Sequence, residues 1–163
     1  MDWQSQLAVV VTTAYAMTLG GVIGYERELK NRPAGFRTHT LVAGASALLL
    51  GMGVMAVDDP RLARLEGVQI DPLRLMEAVV AGVSFIGAGT IFGTRGRDTV
   101  AGITTAASLL MVAVIGAAAG LRYHWLAVLG TLLTLLVLTG LNTMERRFSH
   151  RPPANPDGGN RQG

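Results

Sequence analysis

The sequence predicts an all-α, polytopic membrane bundle of five spans, with the N-terminus outside and the C-terminus inside. Three observations carry that prediction. Half of the 163 residues are apolar and only 15% are charged, against roughly 25% charged in an average soluble protein. The apolar residues gather into five long blocks, and a run of about 18 or more such residues reads as a spanning helix. The basic residues sort by loop: ten fall in 26–39, 93–99 and 144–163, and four in the alternate segments. An excess of Lys and Arg marks cytoplasmic loops, and five crossings supply the odd number that this asymmetry requires.

The first block, Leu7–Tyr25, carries no charge. Ala14-Tyr-Ala16 resembles a signal-cleavage box, but Met1-Asp2-Trp3 lacks a basic residue and apolar sequence continues past the box, so a retained helix is expected. The second block, Thr40–Val57, is also uncharged. Between them, seven ionisable residues crowd into 26–39. Glu26, Arg27 and Glu28 open this segment, Pro33-Ala-Gly35 turns it, and Arg37-Thr38-His39 starts the next helix. A salt bridge from Arg37 back to Glu26 is the simplest expectation for such a hairpin, and a planar guanidinium also suits lipid phosphates or a partner's carboxylates.

The third block, Leu73–Phe92, follows the longest connection and contains Glu77, three residues after Arg74. That spacing puts the pair on one helix face. The face continues through Ala81, Ser84 and Ala88, so Glu77 is expected to look inward along a small, slightly polar stripe; an ionisable residue within a span is a functional candidate by default. The fourth block, Gly102–Leu121, begins with the hydroxyls Thr104, Thr105 and Ser108 after Asp98, a carboxylate placed to favour a helix N-terminus. The fifth, Trp125–Thr143, is rich in Leu, Val and Thr and suits lipid contact. Arg122-Tyr-His124 barely turns, so the fourth and fifth helices are expected to be antiparallel neighbours. Small residues crowd the other four, predicting a tight bundle of four with the fifth peripheral and a homodimer through glycine-rich faces. Residues 144–163 read as a disordered cytoplasmic tail after a single domain over 1–143.

Several function classes fall away. There is no cysteine, hence no disulfide, thiolate metal site or Cys nucleophile. The net charge of +3 comes from Arg sorted by loop, which is a membrane signature and not a nucleic-acid one. Gly87-Ala-Gly89-Thr-Ile-Phe-Gly93-Thr-Arg-Gly96 mimics a phosphate cradle but closes an apolar span, without the strand and soluble helix that a dinucleotide site needs. His39 and His150 are expected inside and His124 outside, so the histidines cannot share a metal. No His/Glu metal pair and no base beside Ser84 or Ser108 support an enzyme. The expected site is a polar cluster on the cytoplasmic side: Glu26, Arg27, Arg37, Thr38 and His39, with Asp98 and Thr105 adjacent. Glu26 and Glu77 are the candidate cation ligands, since magnesium favours one or two carboxylates plus retained water; no resident cofactor is expected.

The run Gly-Gly-Val-Ile-Gly-Tyr-Glu-Arg-Glu over 20–28, with Arg-Pro-Ala-Gly-Phe-Arg-Thr-His-Thr-Leu-Val over 32–42, resembles the first block of the MgtC/SapB membrane-protein family. Asp71-Pro-Leu-Arg, Val80-Ala-Gly-Val-Ser-Phe-Ile-Gly-Ala-Gly-Thr-Ile91 and Gly102-Ile-Thr-Thr-Ala-Ala-Ser-Leu109 resemble its second. The resemblance covers about residues 5–142 of the chain. Ala101 stands where many members have Arg, and Thr104 where some virulence-associated members have Asn. Longer members add a soluble C-terminal domain; the matching residues here are those of the membrane domain. The resemblance implies a bacterial inner-membrane protein tied to growth or survival at low magnesium. Some members resemble inhibitors of the F-type ATP synthase, which implies a non-enzymatic regulator with a membrane ATPase or ion-transport protein as partner. The family has also been labelled as magnesium transporters, which implies the alternative of a divalent-cation transporter or channel.

Overall fold

The computed structural model describes residues 3–62, 71–92 and 99–148. They form five helices: α1 (Trp3–Leu29), α2 (Phe36–Val57), α3 (Pro72–Phe92), α4 (Thr99–Gly120) and α5 (His124–Phe148). A helix covers each of the five expected blocks, and most run past the uncharged residues. α1 continues through Glu26, Arg27 and Glu28, so half of the charged hairpin is the last turn of a helix. α5 continues to Phe148, beyond the expected start of the tail, and 149–163 lie outside the described residues.

Four helices, α1 to α4, are long and apolar enough to cross a membrane. The apolar part of α5 is the shorter stretch His124–Gly140. At ~1.5 Å per residue it reaches roughly 25 Å, somewhat under the hydrocarbon thickness. The fifth crossing expected from sequence is therefore the shortest of the set. Its continuation holds Asn142, Glu145, Arg146 and Arg147, which ends the apolar run.

The hairpin between α1 and α2 is fixed by backbone geometry. Asn31 sits at φ 51°, the left-handed conformation. The Arg32 N–H donates to the Arg27 carbonyl (3.1 Å) and the Asn31 N–H to the Glu28 carbonyl (3.0 Å). This is the pairing that closes a helix C-terminus around a left-handed residue, with asparagine as the usual substitute for glycine. Pro33 follows, where it cannot prolong the helix. Gly35 then opens α2, and the first free N–H of that helix, on Phe36, donates to Glu28 Oε2 at 2.8 Å. A carboxylate at the end of one helix thus caps the positive end of the next. Arg122, at φ 66°, closes α4 in the same way, with the Tyr123 N–H donating to the Ala118 carbonyl (2.9 Å) and the Arg122 N–H to that of Ala119 (2.8 Å).

The centre of the bundle is α1, α2 and α4. Between helices in lipid, cohesion comes from close van der Waals contact and not from expulsion of water. The buried positions of α1 (Val9, Ala16, Gly20, Gly21, Ile23, Gly24 and Arg27) fall mostly on one helix face and form a stripe. A Cβ on Gly20 would lie 2.6 Å from both the Ala43 Cβ and the His39 carbonyl oxygen. A Cβ on Gly116 would run into the Ala43 carbonyl from the other side. α2 is thus clasped between two glycine faces at backbone contact. Ala16, Ala43, Ala47, Leu50, Leu109, Val112 and Ala113 fill the middle and are fully buried.

α3 corrects one expectation. It packs mainly on α4, and only Val79, Val83 and Gly87 are buried. Glu77, Ala81 and Ser84 face out of the bundle and Ala88 is half-buried. The small, polar stripe looks away from the core because the β-branched positions 79 and 83 take the inward face. Glu77 consequently does not look inward. α5 is peripheral as expected: it lies against α4 and α1 and exposes Leu129, Leu132, Leu133, Leu136 and Val137. The glycines expected to serve a dimer are largely spent inside the chain, whereas Gly82, Gly89 and Gly140 face open space.

Candidate functional site

The hairpin end of the bundle gathers most of the residues expected there. Arg27 lies at the end of the buried stripe of α1, in its last turn, where a cation suits the helix C-terminus. It is only 2% exposed. Its Nη1 lies 3.6 Å from Glu26 Oε2, and among the described residues its Nε and Nη2 have no hydrogen-bond partner. Glu26 also pairs with Lys30, one turn on, whose Nζ donates to the Leu138 carbonyl of α5 at 3.0 Å. That lysine ties the hairpin to the fifth helix. The expected Glu26–Arg37 bridge does not form: the Glu26 carboxylate is held by Arg27 and Lys30, while Arg37 is exposed on the outer side of α2.

His39 is fully buried in the first turns of α2. Its Nδ1 lies 2.9 Å from the Gly35 carbonyl and its Nε2 3.0 Å from Ser108 Oγ on α4. Ser108 Oγ also lies 2.8 Å from the carbonyl of Thr105. The proton count decides what this chain can do. A carbonyl only accepts, so the imidazole proton sits on Nδ1 and is donated to Gly35. A neutral ring then accepts at Nε2, and the single Ser108 proton must turn toward it, away from Thr105. A doubly protonated ring donates at Nε2, and the serine proton turns back to Thr105. The Ser108 hydroxyl therefore has two positions, selected by the protonation of a buried histidine that joins α2 to α4. Ser108→Ala leaves Nε2 without a partner; its melting temperature should fall by an amount equivalent to about 1–3 kcal/mol, and an unchanged transition would show that the bond contributes nothing.

The expected residues divide as follows. Glu26, Arg27, His39 and Thr105 come together at this end, and Thr105 is fully buried. Thr38 is half-buried beside them and Arg37 points away. Asp98 lies outside the described residues. Glu77 is in the second turn of α3, near the opposite end, so Glu26 and Glu77 cannot be ligands of one ion. Among the described residues no group of three His, Cys, Asp or Glu side chains converges on a metal-sized site. The hydroxyl cluster on α4 splits, Thr104 facing out while Thr105 and Ser108 face in. Ser108 and Lys30 carry more of the site than sequence reasoning assigned them. The three-residue spacing of Thr105 and Ser108 was the available signal for the first; the four-residue spacing from Glu26 signals the ion pair of the second, but nothing local signals its bond to Leu138, more than a hundred residues away.

At the opposite end, α1, α2 and α4 enclose a cavity of about 290 Å³ lined by Ser5, Thr12, Asp58, Asp59, Gly120 and Arg122, among others. It does not extend through the bundle, whose middle is filled by the alanines, leucines and valine named above.

A family model described as the MgtC family matches residues 13–147, which run from the first helix into the last. The chain belongs to the MgtC family. Protein SrpB of Synechococcus elongatus is 38% identical over 89% of this chain and 79% of its own length. Protein SapB of Bacillus subtilis is 32% identical over 91% of this chain and 62% of its own. An Escherichia coli protein named "Putative magnesium transporter YhiD" is 37% identical over 80% of this chain and 59% of its own. The chain thus spans about three fifths of two of these relatives, and the MgtC match coincides with its multi-pass helical part. No solved structure matches it.

Proposed function

We propose that this MgtC-family protein supports magnesium homeostasis, and growth or survival at low magnesium, as a non-enzymatic regulator in the bacterial inner membrane. It acts by contact with another membrane protein, of the ATPase or ion-transport class. One observation carries the preference for a regulator over a conduit. The polar cluster at the hairpin end and the acidic cavity at the other are separated by a fully buried apolar middle, Ala43, Ala47, Leu50, Leu109 and Val112. A divalent cation dehydrates reluctantly and needs oxygen ligands along its way, and that middle offers no carboxylate. The hairpin end faces the cytoplasm, following the distribution of Arg, and the Glu26–Arg27 and His39–Ser108 pairs hold its surface in one shape. A second copy of the chain is accommodated most readily on the open face of α3.

The second reading, a divalent-cation transporter, is favoured by the cavity bearing Asp58 and Asp59 and by the name of the Escherichia coli relative. Two measurements separate the readings. Purified protein in liposomes should pass no magnesium above empty vesicles, and cells carrying Glu77→Gln should grow at low magnesium like wild type. Cells carrying His39→Ala at normal membrane levels should lose that growth, and the wild-type protein should co-purify with a membrane ATPase. Magnesium flux that disappears in Glu77→Gln or Glu26→Gln would reject the regulator.

A further inference from the structure

We infer that the hairpin end of the bundle holds a binding site for a phosphate-class oxyanion, with Arg27 as its central ligand. Arg27 holds a buried charge that has nowhere to go. A guanidinium cannot shed its proton to escape burial, and buried charges in proteins are paired and hydrogen-bonded. Arg27 is 2% exposed, yet among the described residues its Nε and Nη2 have no partner, and the one carboxylate neighbouring it there stands 3.6 Å from Nη1 and is shared with Lys30. Arg32 repeats the pattern on a smaller scale: its Nε is buried and unpartnered, and its backbone N–H is bonded to the carbonyl of Arg27 itself.

The surroundings deepen the deficit of negative charge. α2 and α4 lie parallel, since His39 in the first turns of one meets Ser108 in the first half of the other. Both 22-residue helices therefore direct their N-terminal, positive ends at this level. Of the two carboxylates in the hairpin, Glu28 is already committed to the Phe36 N–H. By sequence the hairpin carries four cations, Arg27, Lys30, Arg32 and Arg37, against those two acids.

The level of the site selects the chemistry. Tyr25, Leu29 and Phe36 are exposed around the same turns, an aromatic and apolar fringe of the kind that sits at headgroup depth. A planar guanidinium with two free nitrogens matches two oxygens of one phosphate. The ligand is thus a phosphate group, either the headgroup of an anionic lipid or free phosphate, entering beside Glu26 and Lys30, which are partly exposed. The inference is independent of whether the protein regulates or transports.

The test uses the full chain in detergent. Native mass spectrometry after incubation with equal phosphatidylglycerol and phosphatidylcholine should show retention of the anionic lipid by about tenfold. Arg27→Met and Arg32→Gln should each abolish most of that preference, while Arg61→Gln, the same loss of charge at the opposite end, should keep it. Thermal melts with inorganic phosphate, against chloride at equal ionic strength, identify the source. Stabilisation of the wild type but not of Arg27→Met assigns free phosphate; lipid preference without it assigns the headgroup. The inference is overturned if wild type and Arg27→Met behave alike toward both ligands, or if acetate, and not phosphate, gives the Arg27-dependent shift, which would mark a dock for a partner's carboxylate.

Discussion

A valine at position 116 should prevent α4 from seating on α2 and leave the bundle largely unfolded. The added Cβ has no room to rotate away, because what it meets is the backbone carbonyl of Ala43. A flexible side chain could yield; a helix carbonyl moves only with its helix. Overpacking of a close-packed interior costs up to about 3 kcal/mol in typical cases, and branched valine at a backbone contact belongs at the upper end. The purified variant should elute as aggregate or melt far below wild type in detergent. Gly82→Ala is the internal control, since a Cβ there meets nothing within 4 Å; it should melt like the native protein. A Gly116→Val protein with a native transition would mean that α2 and α4 do not touch at Ala43, and the clasp of α2 would have to be abandoned.

The contrast between those two glycines shows how far the sequence could be read. Length and apolarity place five helices with little ambiguity, because spans in lipid must satisfy their backbone internally. Density of small residues correctly announces close packing. It does not say which glycines do the packing: Gly20 and Gly116 are in backbone contact, whereas Gly82 and Gly89 look equivalent on paper and face open space. The same gap misplaced Glu77. A helix of apolar and small residues on all sides has no strong amphipathic signal, so the inward face of α3 is decided by what α4 offers it, a tertiary fact. At the hairpin, composition announced a charged cluster and His39 within it. The partners were fixed by turn geometry instead. The turn at left-handed Asn31 brings Phe36 back to Glu28, and the four-residue spacing pairs Glu26 with Lys30, so among the described residues Arg37 meets no acid. Burial of His39 against Ser108 needs two helices joined across 69 positions, which no local pattern encodes.

Glu26→Gln should destabilise the protein by about 3 kcal/mol, and adding Arg27→Met should restore most of the loss. The asymmetry follows from burial. Removing one member of a buried ion pair strands the other charge and costs about 3–5 kcal/mol, whereas replacing the pair by apolar groups of similar volume is often neutral or stabilising. Glu26 still has Lys30 when Arg27 is gone, so Arg27→Met alone should melt at or above the wild-type temperature. Among the described residues Arg27 pairs with Glu26 alone, so the reverse deletion leaves a guanidinium that cannot neutralise itself. A thermal double-mutant cycle in detergent reads the four values. If Arg27→Met proves as damaging as Glu26→Gln, the guanidinium is already held by strong contacts, and the case for an empty oxyanion ligand falls with it. If the cycle runs as expected, the protein carries at its hairpin a charge that costs stability in isolation, the behaviour of a residue kept for binding and not for the fold.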